Sequence, residues 1–288
     1  MSLKYMTSAE VNRDLWDQCL LRSKNSLIYA NSWYLDVVCP GWSGLVNEDY
    51  ASIFPLPVKS KFGIHFLAHP LFAQQLGIFG NLKGVEVEDY LEQLKRFRFG
   101  VNLQLNPLGI SETDRRFEPR INHLLELTDI TEVRNAYNQN TKRNLKKADK
   151  EGLERFNSLT AGDFVSFKKS EGNSNLNEKA WKRMSELIDV LLNKNFGEIW
   201  AVKKGGELVS AVFFAKWNKR LTYLFSASSA QGKANRASFL IVDRAIEHYL
   251  PSYEVLDFEG SMDSNISRFF HGFGARPYHY YVYRSGLF

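Results

Sequence analysis

The sequence predicts an α/β (α+β) chain built as two similar units. Three observations carry this. Apolar spacings of period two and period 3.6 alternate along the chain. The order hairpin strands, loop, helix, strand occurs once in each half, and a repeat at that scale reads as two copies of one supersecondary plan. The 288 residues, 44% hydrophobic, are long for a single core.

Element by element, Thr7-x-x-Glu10 is a capping box that opens a helix to about Arg22. Ser32 caps a short helix carrying Trp33, Leu35, Val37 and Val38, stopped by Pro40-Gly41. Residues 51–58 read as a strand; Pro55 and Pro57 put it at an edge or bend it. Lys61-Phe62-Gly63 turns the chain into a strand at 64–67. A helix is predicted over 85–97, with Val87, Tyr90, Leu91 and Leu94 on one face, then a strand over 101–105 that ends before Pro107.

Three helices follow. The first is capped by Asp129-x-x-Glu132 and runs to about Glu151, with Gly152 after its end. The second starts at Thr160-x-x-Asp163; the third starts at Asn177 and spaces Trp181, Met184, Leu187, Ile188 and Leu191 on one side. The polar run 170–177 connects them. Strands are then predicted over 198–202, 208–216 and 221–226, with a hairpin turn at Lys203-Lys204-Gly205-Gly206. A helix over 238–250, a strand over 255–259, a short helix and a last strand over 278–284 complete the chain. The expected units are 1–128 and 129–288.

Composition narrows the function. Aromatic content of 14% and charged content of 24% argue against general disorder. A net charge of +5 permits an anionic partner, but a dedicated DNA-binding domain carries a denser basic patch. Cys19 and Cys39 lack any zinc spacing, and no histidine pair has metal spacing, so no metal is expected. A reduced setting suits two such cysteines; a disulfide between them is the alternative. Residues 1–12 lack the apolar run of a signal peptide, and no apolar run reaches the roughly 20 residues that span a bilayer. The expectation is a soluble, cytoplasmic chain.

Chemistry is concentrated in four places. Val255-Leu256-Asp257-Phe258-Glu259-Gly260-Ser261 reads as a buried strand ending in an acid and a glycine, where α/β folds often carry sites. Asp257 and Glu259 fall on one face of it. Either can accept a proton from an attacking amine or hold a loop through backbone amides. The small-residue loop 227–237 joins a strand to a helix N-terminus and carries Lys233 and Arg236, a setting for a pyrophosphate or simply a polar cap. The segment 140–150 is a basic helix with Lys142, Arg143, Lys146, Lys147 and Lys150, an anion patch or a solvated face. His271 lies among Phe269, Phe270 and Phe273, a position more typical of packing than of catalysis.

These motifs carry a resemblance. Strand-Asp257-Phe258-x-Gly260-Ser261, then a short helix with Phe269-Phe270 and Phe273-Gly274, resembles the C-terminal part of the FemABX-like, double-GNAT acyltransferases. Arg143-x-x-Lys146-Lys147-Ala148 resembles the segment that begins the C-terminal half of that family. Trp33-Tyr34-Leu35, Pro55-Leu56-Pro57 and Pro70-x-Phe72-x-Gln74 resemble the first domain of its Bacteroidetes-type members. The resemblance implies two tandem GNAT-like domains, each a mixed central sheet flanked by helices, with a cleft between them.

It further implies transfer of an acyl group, acetyl above all, from acetyl-CoA or another acyl-CoA to a small-molecule or peptide amine. The alternatives are an aminoacyl-tRNA donor with a cell-wall acceptor, and a binding protein that kept the fold without catalysis. From their place at the strand end, and not from the resemblance, Glu259 and Asp257 are the catalytic candidates. By the resemblance Gln231, Gly232, Lys233, Ala234, Asn235 and Arg236 would meet the CoA pyrophosphate, and Phe72, Gln74, Arg143, Lys146 and Ser261 the substrate. Two positions depart from the family: Gln231 to Arg236 lacks the glycines of Q/R-x-x-G-x-G/A, and Phe270 stands where many members have lysine.

Overall fold

The computed structural model describes residues 3–82, 86–156, 158–171, 175–260 and 263–286. In the first part of the chain the elements are β1 (Lys4–Thr7), α1 (Arg13–Arg22), α2 (Ser32–Val38), β2 (Ser43–Val46), β3 (Ser52–Leu56), β4 (Val58–Lys61), β5 (Ile64–Ala68), β6 (Phe79–Gly80), α3 (Val87–Leu94), β7 (Gly100–Leu105) and β8 (Phe117–Glu126). Then come α4 (Ile130–Ala136), α5 (Gln139–Ala148), β9 (Glu154–Phe156), α6 (Ala161–Glu171), α7 (Glu178–Asn193), β10 (Gly197–Lys204), β11 (Glu207–Trp217), β12 (Arg220–Ser228), α8 (Ala230–Ala234), α9 (Ala237–Tyr249), β13 (Val255–Asp257), α10 (Ser264–Gly272) and β14 (Arg276–Gly286). Contacts divide the chain into two compact units, Met1–Arg120 with His279–Phe288, and Ile121–Tyr278. The chain therefore passes between units inside β8 and again inside β14.

In the first unit β1, β2, β3 and β6 pair antiparallel in that order. β4 and β5 form an antiparallel arm, β5 runs parallel to β7, and β7 pairs antiparallel with β14. Its core gathers Phe54, Tyr90, Leu94, Leu103 and Phe117 around α3. The predicted strand 51–58 is two strands. Pro57 has no amide to donate, and at that residue the chain leaves one sheet for another. Only half of the Thr7–Glu10 box forms: the Glu10 carboxylate accepts from the Thr7 amide and hydroxyl, which closes a turn after β1, and α1 begins at Arg13, capped by the Asn12 side chain. Cys19 and Cys39 are buried thiols that are not joined in a disulfide.

In the second unit the sheet order is β8, β13, β12, β11, β10, β9; β12 and β13 are parallel and the other pairs antiparallel. α9 covers one face, packing Ile241, Val242, Ala245 and Ile246 on Trp200, Val212 and Phe214. The opposite face receives α6, where Phe164 meets Phe213 edge-on. The helix predicted over 129–151 is broken at Tyr137: Asn138 caps a fresh helix by accepting from the Thr141 amide, and its own amide donates to the Gly272 carbonyl of α10. Among the described residues no helix is long and apolar enough to cross a membrane, and no group of three or more His, Cys, Asp or Glu could hold a metal.

Gly260 shows how tightly the end of β13 is packed. A Cβ there would lie 1.8 Å from the Ile121 carbonyl oxygen on β8. Gly260→Ala is expected to lower stability by about 2–3 kcal/mol, since neither backbone can yield without losing its ladder bonds; a urea midpoint unchanged from wild type would refute this.

Candidate functional site

β12 and β13 pair over only three positions, Arg220 with Val255, Leu221 with Leu256 and Thr222 with Asp257. Beyond Thr222 the neighbours differ. β13 has ended, while β12 runs on six residues to Ser228. A register shift against β11, with Phe213 opposite Phe225 but Phe214 opposite Tyr223, leaves Leu224 as the extra residue of a bulge. The Ser229 amide donates to the Val209 carbonyl. Alternation along the strand then turns the backbone groups of Ala227 and Phe225 toward β11 and those of Ser226 away from it. Lys168 confirms the direction: its Nζ donates to the Ser226 carbonyl at 2.7 Å. This ammonium is half-buried, and burial pulls its pKa down. Tyr223, partly buried, is pushed up to about 12 by burial, with the Ser226 hydroxyl as its hydrogen-bond partner.

The strand end is held by Asp257. Its side chain is fully buried; one carboxylate oxygen takes the Arg220 guanidinium at 2.8 Å and the other accepts the Glu259 amide at 2.8 Å. The Phe258 amide donates to the His123 carbonyl, and the His123 amide donates to the Glu259 carbonyl, so two residues oppose one. Glu259 takes φ +55, a left-handed conformation costly for a side chain of its size, which aims it away from the strand's own alternation. Its side chain is half-buried. Ser261 lies outside the described residues.

Behind this turn is a buried polar group that the sequence did not single out. His123 is 1% exposed; its Nε2 lies 3.2 Å from Ser267 Oγ, its ring meets His271 edge-on at 4.8 Å, and Nδ1 has no hydrogen-bond partner among the described residues. Burial, with His271 beside it, holds its pKa below the usual value. Arg220, Lys168 and His123 are the residues that sequence reasoning missed. Lys168 carried a faint signal, because it follows Phe164 by one helical turn and so shares its buried face. The Arg220–Asp257 pair carried none: its members are 37 residues apart.

The loop expected to offer free amides is mostly the short helix α8. Ser229 caps it, and the amides of Gly232, Lys233, Asn235 and Arg236 all bond within the segment. Gly232 is required by packing, since a Cβ would lie 2.0 Å from the Val209 carbonyl. Asn235 is buried and donates to Glu151. Gln231, Lys233, Ala234 and Arg236 are exposed. Past them α9 begins at Ala237 behind Arg236, which has φ +61 and gives no side-chain cap. The Phe239 amide bonds back to the Arg236 carbonyl, and no side chain of the capping residue covers the amides of Ala237 and Ser238 ahead of it.

Arg143, Lys146 and Lys147 are exposed on α5, and Lys150 is exposed just past its end. In the first unit, Phe72 sits at φ +67 with its carbonyl accepting the Tyr34 hydroxyl, and Gln74 is buried, accepting from the Gln75 amide. Their loop is pinned by His69. Its Nδ1 accepts the Gln104 amide at 3.1 Å and Nε2 donates to the Ala73 carbonyl at 2.8 Å, bonding that requires a neutral ring. Burial pulls its pKa down to about 4.

Residues 135–264 match the sequence profile of the Acetyltransferase (GNAT) domain. No curated protein matches the chain. Solved structures share its fold. FemX superposes with a TM-score of 0.70 at 11% identity, covering 98% of this chain and 97% of FemX. A conserved protein of unknown function from Bacteroides thetaiotaomicron gives 0.63 at 12% identity, with 98% of each chain covered. A tandem GNAT protein from the clavulanic acid biosynthesis pathway gives 0.59 at 9% identity, covering 100% of this chain and 99% of that one.

Two outcomes follow for the charged groups. Arg220→Met leaves Asp257 buried without its cation and is expected to cost about 3 kcal/mol in chemical denaturation, whereas Glu259→Gln changes stability little; equal effects would remove the clamp from Asp257. For His69, the unfolded ring titrates near 6.5 and the folded one near 4, so on acidification the unfolded chain takes up the proton first. Stability should fall between those two pH values by about 3 kcal/mol, and His69→Asn should lose that slope.

Proposed function

We propose that this chain, a FemABX-like double-GNAT protein in fold with an acetyltransferase domain over residues 135–264, moves an acyl group from an acyl-CoA thioester to an amine. The parting of β12 from β13 beside the outward-facing Ser226 carries the reading. An extended pantetheine arm needs backbone groups that no neighbouring strand uses, and this edge of β12 provides them. The Ser226 amide, turned the same way as its carbonyl, is suited to receive the thioester oxygen as charge gathers on it. The uncapped start of α9, with Lys233 and Arg236 exposed before it, suits the pyrophosphate.

The neutral amine attacks the thioester carbon, the C–N bond forms, the C–S bond breaks, and the thiolate leaves with a proton. Glu259 is our candidate for taking the proton from the amine. Asp257, expected with it as a catalytic carboxylate, we assign to positioning, because its oxygens already hold Arg220 and the Glu259 amide. Phe72, Gln74 and Ser261 remain substrate candidates on resemblance alone. A second reading, an aminoacyl-tRNA donor, is favoured by the exposed Arg143, Lys146 and Lys147 of α5 and Lys150 just after it.

Calorimetry with acetyl-CoA and with charged tRNA separates these. The expected result is acetyl-CoA binding that weakens about tenfold in a Lys233→Ala, Arg236→Ala double variant. With an amine acceptor in hand, Glu259→Gln should lower kcat by about 10²-fold or more while leaving acetyl-CoA affinity unchanged. Binding of charged tRNA in place of acetyl-CoA would favour the second reading; binding of neither would leave a fold without the transfer.

A further inference from the structure

One end of the first unit's sheet sets apolar rings in water among cations. The β4–β5 arm pairs Lys61 with Ile64, and its turn is Phe62-Gly63. Phe62 is 92% exposed and held at φ +52. β5 runs parallel to β7 with Leu67 beside Val101, so the strands start at the same end, β5 at Ile64 and β7 at Gly100 just after Arg98 and Phe99. The turn ahead of β7 therefore lies at the same end, and it presents exposed Arg98 and Phe99, the latter 51% exposed. Lys59 and Lys61 stand behind the Phe62 tip, the Lys61 ammonium 5.6 Å from its ring. Residues 50–85 and 93–111 contain no aspartate or glutamate.

We propose that this end of the first unit docks on an anionic lipid bilayer, Phe62 and Phe99 entering at headgroup depth while Lys59, Lys61 and Arg98 meet the lipid phosphates. The order of the groups along the arm is what selects a bilayer. The ring is the outermost group and the ammonium groups lie behind it, so apolar surface reaches the acyl boundary while the cations stay level with phosphate. A nucleic acid would instead be met by cations in front and rings presented flat for stacking. A ring 92% exposed has little packing to lose and apolar area to gain by leaving water. Each basic residue near an anionic leaflet is worth about fivefold in affinity. The inference does not depend on acyl transfer.

The test is sedimentation of the protein with vesicles of phosphatidylcholine, with and without phosphatidylglycerol. Binding is expected only with phosphatidylglycerol, and should weaken with salt. Phe62→Ala should weaken it about tenfold, and the Lys59→Ala, Lys61→Ala pair about twentyfold. A Phe62→Trp protein should shift its emission to the blue on the same vesicles, a second measurement independent of the alanine variants. No binding of wild type to phosphatidylglycerol vesicles would overturn the proposal, as would equal binding by Phe62→Ala. Retention on poly(U) that needs the lysines but not Phe62 would assign the surface to nucleic acid and overturn it too.

Discussion

The buried ion pair between Arg220 and Asp257 ties the start of β12 to the end of β13. A carboxylate removed from water must satisfy its lone pairs, and here the guanidinium takes one oxygen and the Glu259 amide the other. The second bond turns the chain out of the strand at Glu259. From that point β13 no longer follows β12, and the edge of β12 from the Leu224 bulge onward is left with backbone groups that no neighbouring strand uses. The geometry of the candidate site rests on this early ending.

Packing surrounds that turn on both sides. Phe258 stacks on Phe270 of α10 with ring centres 4.8 Å apart, and Gly260 lies against the Ile121 carbonyl where no side chain fits. The position held by lysine in many FemABX-like sequences is thus occupied by a ring that closes the core under the turn. The polar groups gathered there, His123, Ser267 and His271, lie on the side of β8 and α10. Phe270 has in effect replaced a charge by a floor, and α6 supplies a cation, Lys168, to the open edge of β12.

The anion end of the site is economical in its donors. α8 uses the amides of the connecting segment on itself, which is why the glycine pattern of Q/R-x-x-G-x-G/A is not needed for its conformation. What is left for a ligand is the start of α9, and Arg236 in the left-handed region is the residue that swings the chain from one helix into the next. The Ser210, Ser228 and Ser238 hydroxyls bond to one another and fasten that start to the sheet.

Much was legible in the chain itself. Periodicity located α7, α9, β10, β11 and the α9 core face, because apolar spacing reports directly which side of an element leaves water. Local caps were legible too: Asn177 and Asp163 bond as their spacing implies. The Asp257–Gly260 motif drew attention to this segment, though the strand read over 255–259 ends at Asp257. The break at Tyr137 was missed, since Asn138 is only one polar residue in a helical run until α10 offers the carbonyl its amide bonds. β8 was missed for a similar reason; its pairing partner β13 lies more than a hundred residues ahead. Local sequence encodes what each segment does with its own neighbours. Which carboxylate is buried against Arg220, which strand stops first, and which amides remain unused depend on residues brought together across the fold, and those only the folded chain could decide.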